Sequence, residues 1–123
     1  MTITDEQIKA VADTANCFRT NGQYSIIDLL PLVMHRAEKG MLKFPQPNYV
    51  ISKWAEETGE VTKAAIHFAE GRERGSSVVD EIIDALAMLH RLCTEGDKVH
   101  GMDPLGPHIF DYIRDVMGSD VDE

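Results

Sequence analysis

Two groups of carboxylates carry the chemistry that this sequence offers. The first is Glu56-Glu57-Thr58-Gly59-Glu60, and the second, after 20 intervening residues, is Glu81-Ile82-Ile83-Asp84. Side chains three apart share one face of a helix, so Glu57 pairs with Glu60 and Glu81 with Asp84. Crowded carboxylates repel one another and either take up protons or bind cations. Oxygen ligands without thiol or imidazole select hard ions, Mg²⁺ first, with Mn²⁺ and Ca²⁺ as alternatives. None of the five histidines follows a Glu at the Glu-x-x-His spacing of di-iron bundles. No Gly-x-x-x-x-Gly-Lys-Ser/Thr phosphate loop occurs either.

The elements that must position these acids are helices. Stepping about 100° per residue puts Val50, Ile51, Trp54, Val61, Ala64, Ala65 and Phe68 in one stripe of a helix expected from Asn48 to about Glu70. Glu57 projects near the middle of that stripe, Glu60 at its edge and Glu56 outside it. A carboxylate on an apolar face loses hydration, which is costly unless it is paired or coordinates a metal. The next helix, expected from a Ser77 cap to about Thr94 or Asp97, is apolar over more than half its circumference. Its narrow polar strip holds Asp80, Asp84, Arg91, Thr94 and Glu95, and Glu81 sits at the margin of its apolar arc. A single Glu-x-x-Glu on a helix is usually solvated surface. Two acid pairs on consecutive helices, both intruding on apolar faces, point instead to one shared site if the helices pack antiparallel.

Three further helices complete the expectation. The spacing of Ile8, Val11, Ala12, Ala15 and Phe18 predicts one from Thr4 to about Arg19, ended by Asn21-Gly22. A weaker one runs from Ser25 to about Glu38, with Pro31 tolerated only near its start. Gly40 to Asn48 reads as an ordered connector and Gly71 to Ser76 as a polar loop. Asp103-Pro104 is a helix start signal, with that helix ending near Met117 and an acidic tail over 118–123. No window alternates in the manner of a strand, so the expected fold is an all-α bundle of four to five helices, one domain over 1–117.

Composition bounds the partners. The 123 residues are 43% hydrophobic and 27% charged, with 12 Lys and Arg against 21 Asp and Glu, a net charge of −9. Nucleic-acid binding draws on Lys and Arg to neutralise phosphates, so no nucleic-acid partner is expected. A protein this acidic that handles phosphates borrows positive charge from a metal. The longest run without a charged side chain, Phe44–Ser52, is nine residues, too short to span a bilayer. The opening Met1-Thr2-Ile3-Thr4-Asp5-Glu6 shows no basic stretch leading into an apolar run, so no secretory signal is expected. Cys17 and Cys93 lie in no metal-type spacing and read as reduced thiols of a cytoplasmic protein.

Glu56-Glu57-Thr58-Gly59-Glu60 followed by Glu81-Ile82-Ile83-Asp84 resembles the EExxE…ExxD signature of MazG-like all-α nucleoside triphosphate pyrophosphohydrolases. The run Ala55–Ala64 is similar to that family's EExGEvxkA helix, and Phe44-Pro45-Gln46-Pro47 to its Phe-His-x-Pro lead-in, with Pro45 in place of the His. The resemblance spans roughly residues 34–103. It implies that Glu57, Glu60, Glu81 and Asp84 are ligands of Mg²⁺, that Glu57 or Glu60 serves as the catalytic base, and that a (d)NTP is hydrolysed to the (d)NMP and pyrophosphate. Many members place a Lys or Asn and further basic residues after the last metal-binding helix. Here that region supplies Arg114 alone, leaving Lys53, Lys63, Arg91 and Lys98 as candidate phosphate ligands, each weighed against a solvated surface charge.

Trp54, one turn before Glu57, reads either as a core residue or as a platform for a nucleobase, and Phe44 invites the same question. The wide apolar arc of the Ser77 helix exceeds what one neighbour covers, which predicts a homodimer or homotetramer packed through the central helices. Two other readings stay open: a non-catalytic helical module that binds metal or nucleotide, and a plain oligomeric bundle with surface acids.

Overall fold

The computed structural model describes residues 24–121 together with 4–6 and 9. The helix expected from Thr4 to Arg19 and Cys17 lie largely outside these residues. The described chain is helical. A 3₁₀ turn at Ile26–Leu29 leads into α1 (Leu30–Lys43), followed by α2 (Val50–Ala69), α3 (Gly75–Glu95) and α4 (Gly106–Val121). No strand forms among the described residues; the only ladder contact is an isolated antiparallel bridge between Asp97 and Met102. None of the helices is long and apolar enough to cross a membrane.

Ser25 starts the first segment with a reciprocal cap. Its hydroxyl accepts from the Ile27 N–H at 3.3 Å, and Asp28 Oδ2 accepts from the Ser25 N–H at 2.7 Å. Pro31 then falls in the first turn of α1, where its missing N–H removes no intrahelical bond. The helix runs on to Lys43, past the expected end at Glu38 and through Gly40, because Ala37 and its neighbours still have α3 to pack on. The Phe44 N–H closes the last turn on the Gly40 carbonyl at 2.7 Å. The connector is therefore Phe44 to Tyr49, shorter than expected.

α3 is the central helix, with α1 and α2 both packed on it. The shared core joins Val33 and Ala37 of α1 to Ile83 and Ala87 of α3, with Leu29 and Leu86 against it. On α2 only Val50 and Ala64 are buried, while Ile51 and Phe68 of the same stripe remain accessible. The α2 stripe is therefore covered by α3 along only part of its width. α3 begins at Gly75, two residues before the expected Ser77 cap. Arg74 holds the N-cap position in extended backbone, and Gly75 lies under the Phe68 ring, 3.4 Å from where a Cβ would sit.

Beyond α3 the chain turns at Gly96, whose φ of 73° suits glycine. A Cβ there would run into the Met102 carbonyl oxygen. The Leu105 N–H donates to the Cys93 carbonyl at 2.8 Å, fixing the approach to α4. That helix starts at Gly106 rather than at Asp103-Pro104 and continues through Val121, absorbing part of the stretch expected as a tail. Ile109, Phe110, Tyr112, Ile113 and Val116 are all exposed along it.

Candidate metal centre and adjoining cavity

α2 and α3 bring Glu57, Glu81 and Asp84 together. One carboxylate oxygen from each lies within 4.8 Å of the other two, and all three side chains are half-buried. Glu60, expected as a fourth member, is exposed and outside this trio. One turn further along α2, it points more to solvent, although its charge still acts on both Glu57 and Glu81. The pKa of Glu57 is pushed up by partial burial first, then by the charges of Asp84, Glu81, Glu56 and Glu60. That of Glu81 rises through burial and through Asp84, Glu60 and Asp80, with Arg36 opposing. Burial and the neighbouring carboxylates disfavour the anions, and a cation would offset both.

The residues fit a hard divalent ion. Oxygens on one Mg²⁺ sit about 2.1 Å from it, hence about 3 Å apart when adjacent and about 4.2 Å apart across the octahedron, so the three side chains would draw in to share one ion. The donor set holds no thiol or imidazole, in keeping with Mg²⁺ or Mn²⁺ rather than Zn²⁺.

Arg36 of α1 reaches the same acids. Its Nη1 donates to Asp80 Oδ1 and to Asp84 Oδ1, both at 3.0 Å, and to the Asp80 carbonyl at 3.1 Å. Sequence reasoning missed this residue. The available signal was its register: Arg36 lies on the margin of the Val33–Ala37 face, as Glu81 lies on the margin of the α3 arc.

Beside the trio opens a cavity of about 260 Å³, walled by Arg36, Gly40, Phe44, Lys53, Glu57 and Asp84, among others. Lys53 Nζ stands over the Phe44 ring, 4.7 Å from its centroid, and the ring itself is half-exposed. Two of the expected substrate-binding residues, Lys53 and Phe44, thus share the cavity with Glu57. Trp54 is half-buried on α2 and lines no part of this cavity.

Arg91 also borders the cavity, but it is no surface charge. It is 2% exposed; its Nε and Nη2 donate to Glu95 at 2.7 and 3.0 Å, and Nη2 also donates to the Phe44 carbonyl at 2.8 Å. A buried guanidinium needs such partners, and here they tie the start of the connector to α3. Asn48 donates to the same Phe44 carbonyl at 2.9 Å. The Gln46 amide donates to Glu95 at 3.3 Å and accepts from the N–H groups of Asn48 and Lys98. Phe44 is therefore held at the cavity mouth by a buried polar network.

Asp97 anchors the other end of the connector. Fully buried, it accepts from the Ile51 N–H at 2.9 Å, from the His100 N–H at 3.0 Å and from the His100 ring at 3.0 Å. Tyr49, the N-cap residue of α2, offers no side-chain cap, so Asp97 supplies it from across the fold. Burial pushes the Asp97 pKa up, but the bonds from Ile51 and His100 outweigh it and hold it at about 2.

Comparison with family models, with curated proteins and with solved structures found no match to this chain.

Proposed function

We propose that this chain is a Mg²⁺-dependent nucleoside triphosphate pyrophosphohydrolase of the MazG-like kind, converting a (d)NTP to the (d)NMP and pyrophosphate. The observation that carries this reading is the meeting of Glu57, Glu81 and Asp84 beside a cavity walled by Phe44 and Lys53. Mg²⁺ or Mn²⁺ held by those three carboxylates would supply charge neutralisation for the triphosphate and acidify a bound water. Glu60, one turn from Glu57 and outside the trio, is free of that duty and accepts the proton of the attacking water. Phe44, half-exposed, is the stacking partner for a nucleobase once Lys53 and Lys43, which stand over its ring, turn toward phosphate or sugar. Arg91 acts indirectly, by fixing Phe44.

We infer also that the chain works as a homodimer or homotetramer in a reducing cytoplasm. To the central helices expected as the contact the structure adds a second apolar surface, Ile109, Phe110 and Ile113 of α4, 42–66% exposed and of the sort that oligomers cover; among the described residues Cys93 carries a free thiol.

The test is incubation of the purified protein with a panel of NTPs and dNTPs in Mg²⁺, with product identification. Nucleoside monophosphate and pyrophosphate are expected; nucleoside diphosphate and orthophosphate would contradict the reaction. A non-catalytic metal- or nucleotide-binding module is the second reading. It is favoured by one observation: Arg91 and Arg36 are both engaged with carboxylates, leaving Lys53, held over the Phe44 ring, as the cation of the cavity wall without a carboxylate partner among the described residues. Tight nucleotide binding with no product after long incubation would support it.

A further inference from the structure

The guanidinium of Arg36 is used by halves. One nitrogen, Nη1, serves three acceptors on α3, so its two hydrogens are shared among Asp80 Oδ1, Asp84 Oδ1 and the Asp80 carbonyl. Its Nε and Nη2 have no partner among the described residues, and the side chain is 38% exposed. Arg36 and Asp84 both line the 260 Å³ cavity, together with Glu57 and Lys53. Asp84 is thus claimed twice, by the guanidinium and by the trio it forms with Glu57 and Glu81. A divalent cation and Arg36 would both draw on the negative charge of the same carboxylate.

We propose that Arg36 is an exchangeable counter-charge: it neutralises Asp84 while the trio is empty, and it turns its fork to the phosphates of the substrate once a cation takes Asp84. This rests on the triphosphate reading above and names a phosphate ligand for it. A guanidinium fork matches two phosphate oxygens at once, and Nε with Nη2 is the edge left unused. Asp80, 63% exposed and outside the trio, gives Arg36 a resting partner that the cation does not contest. At Asp84 the incoming cation replaces the positive charge that the incoming triphosphate draws away.

The exchange predicts effects of opposite sign from one substitution. Arg36→Gln removes the competitor, so Mg²⁺ alone, titrated calorimetrically without nucleotide, should bind about two- to fivefold more tightly, the range of a partly exposed ion pair. The same variant should bind inorganic triphosphate in saturating Mg²⁺ on the order of tenfold more weakly. Arg36→Lys, which keeps the charge but loses the fork, should leave Mg²⁺ affinity near that of the parent and still weaken triphosphate. A merely structural Arg36 would move both affinities the same way or neither, and that result overturns the exchange. Failure of the parent protein to bind Mg²⁺ at all is a different result, one that removes the metal site and the exchange with it.

Discussion

Replacing Glu57 with Gln should make the metal-free protein more stable while abolishing its response to Mg²⁺. Glu57 has a carboxylate oxygen within 4.8 Å of one on each of Glu81 and Asp84. Two unit charges at that distance repel by about 3.5 kcal/mol at an effective dielectric constant of 20, and by about 0.9 kcal/mol in bulk water. The side chain is half-exposed and Arg36 already offsets part of Asp84. Measured exposed pairs fall at about 0.2–1 kcal/mol each, so two repulsions together are worth about 0.4–2 kcal/mol. In a domain of this size that raises the midpoint of thermal unfolding in EDTA by roughly 1–10 °C. Mg²⁺ at a hundredfold excess over its Kd should stabilise the parent protein by about 2.7 kcal/mol and Glu57→Gln by little. The two unfolding curves therefore exchange order on adding Mg²⁺. Calorimetry or circular dichroism melts with and without EDTA read this directly. A Glu57→Gln variant that is less stable than the parent in EDTA, or that keeps the full Mg²⁺ shift, refutes the charge-repulsion reasoning.

Acid should act through two separate windows. Asp97, with its folded pKa at about 2 against an ordinary 3.8, adds stability that is present above pH 4 and lost as pH falls from about 4 to 2; Asp97→Asn should flatten this limb of a stability–pH profile. Glu57 and Glu81 have raised folded values, so in EDTA the nest costs stability as pH rises above about 4.5, and Mg²⁺ should cancel that decline. Arg91→Met leaves the Glu95 carboxylate, 12% exposed, without its ion-pair partner and with the Gln46 amide as its remaining donor, and should cost about 3 kcal/mol in chemical denaturation. Adding Glu95→Leu should recover most of it, and a loss under about 1 kcal/mol for the single variant would contradict a structural guanidinium. Ile113→Asp, on the exposed row of α4, should convert the assembly to monomer by light scattering; an unchanged mass would place the subunit contact elsewhere.

The helices were legible because Val50, Ala64, Ile83 and Ala87 recur at helical spacing, and periodicity reports which face has a neighbour. Glu57 was legible for the complementary reason, as a charge where that spacing calls for an apolar side chain. The ends of α2 and the end of α3 lie within two residues of expectation, but the end of α1 and both ends of α4 do not, because tertiary partners decide them. Gly40 stays helical because α1 still has α3 to pack on, and α2 is capped by Asp97 from 46 residues away. Arg91 looked solvated on the polar strip of α3. Its burial depends on the connector folding over it, which no local pattern encodes. Glu60 shows the limit of periodicity: it places a residue on a face, while the reach of the facing helix decides whether it joins a site. The register of Arg36 marks it as lying at the margin of the Val33–Ala37 face, but its hold on Asp80 and Asp84 depends on how α1 packs on α3.

The carboxylate nest itself is tested most directly by locating an ion in it. Crystals of the protein grown or soaked with Mn²⁺, measured at a wavelength where manganese scatters anomalously, should show a peak within bonding distance of Glu57, Glu81 and Asp84, with the Arg36 contact to Asp84 lengthened. No peak between those three side chains at Mn²⁺ concentrations that support turnover, or a peak bound elsewhere, would contradict it.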